Sequence, residues 1–423
     1  MIPSIRGTRD ILPDEIDRWR YAERIIVDIC GHYGFREIRT PVIEREELFA
    51  KGTGEETDIV QKEMYAFEDK GGERVTLRPE ATPSMVRAYI EHALEQHLPT
   101  VKLFSLGPMF RYERPQKGRY RQFHQLDVEI FGIVDPLLDA ELIEMATRLV
   151  SALGIESTEL VVNSVGCPTC RPNFSRALLS SLGDRTHELC TDCQRRALKN
   201  PLRIFDCKVP SDQSIIDSLP HSSDYLCADC RTHFEATTSQ LTAFGIDYRV
   251  SHRLVRGLDY YNRTTFEVLG DELGAQNALI GGGRYDGLVR RLGGPDRAGI
   301  GFAAGIERLI LAMPSNSKRA GPDVFVVAIG TDAFQPAHLL ARDLRHGGVT
   351  SCVDYDGRSL RAQMKRADRA GARYVLIVGG DELARGEITV KNMESGDQST
   401  VLRSDVVNRL REVMLKASLS DTR

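Results

Sequence analysis

The stretch from Met109 to Gly132, "MFRYERPQKGRYRQFHQLDVEIFG", constrains the fold more than any other part of this chain. Its two ends alternate in polarity and its middle is polar and contains a glycine, the pattern of two strands joined by a turn. Successive strand side chains point to opposite faces. His124, Leu126, Val128 and Ile130 therefore share one face of the second strand, and Phe123, Gln125, Asp127, Glu129 and Phe131 share the other. The first face is core-like, whereas the second lines up polar groups between two aromatic rings. A solvated amphipathic strand would explain that second face taken alone. Its company points further: Arg111 and Glu113 lie on one side of the preceding strand, and Arg114, Lys117, Arg119 and Arg121 sit at or beside the turn. Cations above a carboxylate-bearing face suit a ligand with a polyphosphate end and a cationic end. Arginine makes bidentate contacts to phosphate oxygens, and Glu and Gln accept hydrogen bonds from an ammonium group. An amino acid beside ATP has that shape.

Other function classes are excluded or left without support. The chain has 423 residues, 27% of them charged, with a net charge of −4. Bulk charge thus announces no polyanion partner, and any nucleic-acid contact needs local basic patches. No apolar run approaches the roughly 20 residues that span a bilayer. The start "MIPSIRGTRDILPDEI" has no apolar segment of a secretory signal, so a cytoplasmic protein is expected. No GxxxxGK[ST], HExxH or GxSxG occurs. "GGGRYDG" lacks dinucleotide-motif spacing and reads as a tight turn.

The length favours two or three domains. Helical spacing runs over residues 20–31, ending at Gly31, and over 139–153, ending at Gly154. "FREIRTPVIE" alternates as a strand, with Pro41 arguing for a sheet edge. "RVTLRPEATP" reads as a strand leading into a helix that includes "SMVRAYIEHAL". In "AGIGFAAGIERLILAM", residues Phe302, Ile306, Leu309, Ile310 and Met313 fall on one helical face. Residues 313–323 are the linker candidate, and strand-helix-strand patterning after it predicts a separate α/β domain.

Cysteine is concentrated. Cys30 and Cys352 stand apart, and the other seven fall between residues 167 and 230, in a stretch (167–240) that reads as an insertion. "CPTC", "CTDC" and "CADC" begin at Cys167, Cys190 and Cys227. Two such pairs can form a closed tetrahedral zinc site. The 19 residues between the first two pairs fit a zinc ribbon. The likeness of "LCTDC" to "LCADC" instead favours Cys190, Cys193, Cys227 and Cys230, with Cys167 and Cys170 as the other pair. Reduced thiols without metal remain the alternative.

"FRYERPQKGRYRQFHQLDVEIFG" closely resembles motif 2 of class II aminoacyl-tRNA synthetases, and "GIGFAAGIERLIL" is similar to their motif 3. "LVRGLDYYNRTTFEV" and "LIGGGRYDGLV" resemble the two signature peptides of the histidyl-tRNA synthetase family, which "LRPEAT" and "RGTRDILP" also match. The resemblance spans nearly the whole chain. It implies an α+β class II catalytic core, a mostly antiparallel sheet with flanking helices, over residues 1–320. The Cys-rich insertion at 167–240 interrupts that core, and a C-terminal α/β anticodon-binding domain follows over 321–423. It further implies ATP-dependent activation of L-histidine, transfer to tRNA(His), Mg²⁺ bridging the phosphates, and a homodimer formed through "FREIRTPVIE".

The same resemblance implies roles. Arg111 and Arg256 would act on the α-phosphate, Arg308 at the γ-phosphate, and Arg119 and the Phe123 ring on ATP. An ordinary ion pair with Asp259 is the structural alternative for Arg256. Glu80, Thr82 and Gln125 would receive the α-ammonium, and Ala81 would also belong to the histidine site. Glu129 and Tyr261 would bracket the imidazole, with Tyr260 and Tyr285 walling the pocket. Arg114 and Gln116 would meet the tRNA acceptor end. In the last domain Arg358, Arg361, Lys365 and Arg369 make one basic face opposite Leu360 and Met364, either merely solvated or placed to contact tRNA phosphates. A non-catalytic paralogue, the regulatory subunit of ATP phosphoribosyltransferase, and a zinc-dependent nucleic-acid-binding module are the rival readings.

Overall fold

The computed structural model describes residues 2–96, 100–116, 118–271, 277–314 and 321–420, without the side chains of 415–420. Lys117 of the turn cluster and residues 315–320 of the expected linker lie outside the described residues. The chain divides into two units, Met1–Ser315 and Asn316–Arg423.

The first unit is organised by an eight-stranded sheet. Its spatial order is Arg36–Glu37, Val101–Phe110, Gln122–Phe131, Gly299–Gly305, Ala278–Arg284, Asn262–Gly270, Thr158–Ser164 and Arg249–Val250. All neighbours are antiparallel except the two edge pairings. The hairpin read from the sequence is present, with Phe110 opposite Gln122 and Val101 opposite Phe131. Its two faces divide as period-two alternation requires. Leu126, Val128 and Ile130 enter the main core with the helices Pro13–His32 and Pro136–Ala152. Phe131 and Phe123 pack on the opposite side with Met85, Tyr260, Tyr261 and Tyr285. Pro41 separates two short strands, Arg36–Glu37 and Ile43–Arg45, each at the edge of its sheet.

Three expectations need correction. "GIGFAAG" is a strand, Gly299–Gly305, and the helix is confined to Ile306–Ala312. Ile300, Phe302 and Ala304 are buried in the main core at strand spacing, so Phe302 belongs to the strand. "GGGR" is likewise no turn but the end of the central strand Ala278–Arg284. The N-terminal helix also starts earlier than its apolar spacing suggested, with a proline at its first turn.

The insertion is helical, including Arg171–Leu182 and Thr191–Lys199, around its own small core of Phe174, Leu178, Ile204 and Phe205. Its last helix, Ala228–Ala243, returns to the main core, where Leu241 is fully buried.

The second unit is a five-stranded sheet in the order Ser351–Val353, Val324–Ala328, Tyr374–Val378, Glu387–Asn392 and Gln398–Leu402. The first three strands are parallel and the rest antiparallel. Val324–Ala328 is buried on both faces, as its unbroken apolar run requires. The helix Leu360–Arg369 buries Gln363 and Ala367, with Met364 packed beside them. Leu360 is 40% exposed, so it does not share the inward face assigned to it. Arg361, Lys365 and Arg369 are exposed, and Arg358 precedes the helix and pairs with Asp356 at 2.7 Å.

Candidate active site

The hairpin strand Gln122–Phe131, the glycine-rich strands beside it and the segment 255–261 enclose a cavity of about 420 Å³. Glycines clear its floor. A Cβ on Gly301 would overlap the Glu129 carboxylate, and one on Gly281 would overlap the Arg256 guanidinium. Glu267 stands opposite Gly281 in the sheet register. Arg256 therefore crosses the strand where no side chain blocks it and pairs through Nη1 with Glu267.

One end of the cavity is a buried acidic pocket. Glu129 Oε1 accepts from Thr82 Oγ1 at 2.5 Å, and Oε2 accepts from the Tyr285 hydroxyl. Glu80 accepts from the Tyr260 hydroxyl at 2.9 Å and from Thr53. Burial pushes Glu129 up to about 8, against the lowering effect of Thr82 and Tyr285. Glu80 is raised as well, again by burial. Asp127, two residues before Glu129 on the same strand, is held well above the usual carboxylate range by burial and by the charges of Glu129 and Glu80. Gln125 Oε1 lies buried in the same region with no hydrogen-bond partner among the described residues. Ala81 is fully buried beside this pocket, with Met85 and Tyr260.

The other end is cationic. Arg111 is aimed by a hydrogen bond from Nε to the Pro79 carbonyl at 2.8 Å, and its Cζ lies 5.3 Å from the Phe123 ring centre. Arg119 Nη1 pairs with Glu113 at 2.8 Å, and Arg111 Nη1 stands 3.9 Å from the same carboxylate. Arg308 donates to the Ala278 carbonyl. Burial and the neighbouring Arg119 charge lower its pKa. These crowded cations disfavour one another and favour an incoming polyanion. Arg114 and Gln116 are exposed at the tip of the hairpin turn.

Most of the site residues read from sequence thus line one cavity, with four changes. Arg256 does not pair with Asp259, whose Oδ1 accepts from Asn200 at 2.8 Å; Glu267 is its partner because the glycine floor lets it reach across. Glu129 is bonded by Thr82 and Tyr285, whereas Tyr261 lines the cavity with its ring centre 5.7 Å from Arg256 Cζ. Thr53, Glu267 and Asp206 also belong to this region; burial pushes Asp206 up to about 6. The pairing of Cys190 and Cys193 with Cys227 and Cys230 is also wrong, as is the ribbon pairing with Cys167 and Cys170. The first and third CxxC pairs meet at the root of the insertion, while Cys190 and Cys193 close on Cys207 and Asp212. Likeness of sequence between two pairs does not bring them together; the return of the chain to its starting point does.

Comparison with known proteins agrees with this geometry. The histidyl-tRNA synthetase family model matches residues 7–309, and an anticodon binding domain model matches 323–413. The histidine–tRNA ligase of Geobacter metallireducens is 48% identical over 402 residues, 95% of this chain and 97% of that protein. The ligase of Desulfosudis oleivorans is 49% identical over 417 residues, covering 98% and 99%. Apo histidyl-tRNA synthetase of S. aureus superposes with a TM-score of 0.81 at 38% identity, covering 97% of this chain and 100% of that one. A Bacillus halodurans structure described as an ATP phosphoribosyltransferase regulatory subunit/histidyl-tRNA synthetase shares the fold, at 20% identity and a TM-score of 0.65. With a class II core and an anticodon-binding domain both present, the chain belongs to the histidyl-tRNA synthetase family.

Proposed function

We infer that this chain is a histidine–tRNA ligase, which forms histidyl-adenylate from L-histidine and ATP and then passes the histidyl group to the 3′ end of tRNA(His). The observation that carries this reading is a single cavity with buried carboxylates at one end and converging arginines at the other.

Histidine enters with its α-ammonium against Glu80, Thr82 and Gln125, beside Ala81, and its imidazole between Glu129 and Tyr261. Tyr260 and Tyr285 hold the two glutamates in place. ATP lies over the hairpin, its adenine on Phe123 and its phosphates along Arg111, Arg119 and Arg308. A histidine carboxylate oxygen bonds to the α-phosphorus as the bond to the bridging oxygen breaks, and pyrophosphate leaves. Arg111 and Arg256 neutralise the charge that builds on the α-phosphate oxygens, so catalysis is positioning plus electrostatics. An arginine-rich end with few carboxylates, Glu113 and Glu267 among them, fits a Mg²⁺ that would be held mainly by the nucleotide and would help neutralise phosphate charge.

A hydroxyl of the tRNA's terminal ribose then attacks the histidyl carbonyl, the bond from that carbonyl to the phosphate oxygen breaks and AMP leaves, with Arg114 and Gln116 guiding the tRNA end. Arg358, Arg361, Lys365 and Arg369 hold phosphates in the anticodon-binding domain. Two chains pair through the edge strands of residues 35–44, and the protein works in the cytoplasm; no helix among the described residues is long and apolar enough to cross a membrane. The regulatory-subunit alternative has less support, since the matching family models are those of histidyl-tRNA synthetase and of an anticodon binding domain, and the relatives matched over nearly the whole chain are histidine–tRNA ligases. Charging of tRNA(His) with labelled histidine tests the reading. Histidyl-tRNA should accumulate with ATP and Mg²⁺, and failure of a folded dimer to charge it would favour the paralogue.

A further inference from the structure

The insertion carries seven thiols for which histidine activation has no use. Four of them, Cys167, Cys170, Cys227 and Cys230, meet at its root with all sulfurs within 4.8 Å of one another. The Sγ–Sγ separations are 3.7 Å for Cys167–Cys170, and 3.8 Å for both Cys167–Cys227 and Cys170–Cys230. Four thiolates at about 2.3 Å from one zinc ion in a regular tetrahedron stand about 3.8 Å apart. A disulfide would require about 2.0 Å. We propose that Cys167, Cys170, Cys227 and Cys230 form a closed structural Zn²⁺ site that clamps the two ends of the insertion to the catalytic core.

The backbone is shaped for such a site. Gly166 has a φ of +71°, and a Cβ there would lie 2.6 Å from Cys170 Sγ. The Cys167 N–H donates to Cys170 Sγ at 3.1 Å. Cys170 and Cys227 are the N-cap residues of the helices Arg171–Leu182 and Ala228–Ala243, so both helices begin at the cluster. Four soft donors from the protein leave no open coordination position, so the metal is structural, and sulfur-only ligation selects zinc over hard cations. The second cluster has only three sulfurs, and its carboxylate is already engaged. Asp212 accepts from the Cys190 N–H at 3.2 and 3.0 Å and from the Cys207 thiol at 3.3 Å.

The clamp also reaches the histidine pocket. Arg171, next to Cys170, donates to the Tyr261 carbonyl. His233, on the helix that Cys227 caps, lies 2.8 Å from Asp139, and Asp139 holds Arg284, the neighbour of Tyr285, at 2.7 Å. Tyr261 and Tyr285 are therefore braced from the two helices whose starts the metal joins.

Elemental analysis of the full-length protein, purified from zinc-supplemented cells, tests this. It is paired with Cys230→Ser and with Cys193→Ser as a control in the second cluster. The parent and the control should share one tightly held zinc that Cys230→Ser lacks. Cobalt exchanged into the parent should show the visible absorption of a tetrathiolate site. Titrating the native parent with a mercurial reagent measures zinc release without depending on how any variant folds. Metal loss should raise the KM for histidine while leaving the KM for ATP nearly unchanged. A parent with less than a tenth of an equivalent of zinc, or a Cys230→Ser protein with as much zinc as the parent, would overturn the assignment.

Discussion

Replacing Glu129 by glutamine should change the pH dependence of stability in a way that follows from where the carboxyl is buried. Glu129 is 1% exposed, and burial displaces it from its ordinary 4.5 to about 8. A carboxyl raised in the folded state favours the protonated form. Its contribution is therefore fully present below 4.5 and is lost as the pH rises through about 8. At about 1.4 kcal/mol per pH decade, the parent loses about 1 kcal/mol by pH 5 and about 4 kcal/mol by pH 8. Glutamine keeps the shape but has no proton to lose. Any change in the bonds to Thr82 and Tyr285 is a fixed offset that cancels between the two pH values. Relative to the parent, the variant should gain about 3–4 kcal/mol between pH 5 and pH 8, or about 5 °C in the melting of the first unit. Differential scanning calorimetry at the two pH values reads this directly. Saturating histidine should shrink the pH dependence of the parent and leave that of the variant unaltered, because on the proposed reading only the carboxylate gains from the imidazole. A variant-minus-parent stability difference that stays constant from pH 5 to pH 8, or falls, would show that Glu129 is not held protonated by its burial.

Other substitutions separate the two ends of the cavity. Arg256→Ala should lower kcat for histidine-dependent pyrophosphate exchange by about 10²–10³ if its charge acts on the developing transition state as proposed, with the KM for histidine little changed. Tyr260→Phe removes the 2.9 Å bond to Glu80 and should raise the KM for histidine about tenfold, the worth of one charge-assisted hydrogen bond, while the KM for ATP stays put. Gly301→Ala drives a methyl into the Glu129 carboxylate and the Val128 carbonyl; overpacking of about 1–3 kcal/mol should appear in the melting temperature together with weakened histidine binding. Asp139→Ala strands Arg284, which is fully buried, and should cost about 3–5 kcal/mol in calorimetry.

What could be read from the sequence follows from which side chains carry a pattern. The two faces of residues 123–131 were legible because the strand alternates bulky apolar and polar residues. Residues 299–305 hid their strand because Gly299, Gly301, Ala303 and Gly305 contribute almost no side chain, so the apolar residues that remained matched a helical spacing. The glycines of 281–283 suggested a turn because the reason for them lies elsewhere in the chain, in Arg256, Phe302 and Tyr261 packed against them. Thr53 and Glu267 carry no local signal; they become site residues only when the fold sets one against Glu80 and the other beneath Arg256. The cysteine grouping failed for the same reason, since it depends on where a long insertion begins and ends in space.

Histidine and ATP are proposed to react in the cavity above the hairpin strand. Pyrophosphate exchange into ATP, measured with each of the twenty amino acids in turn, tests it most directly. Exchange should occur with histidine and fall to background with the others, because buried Glu129 and its neighbours reject side chains that leave them unpaired. Exchange with a different amino acid, or none with histidine from a correctly folded protein, would contradict it.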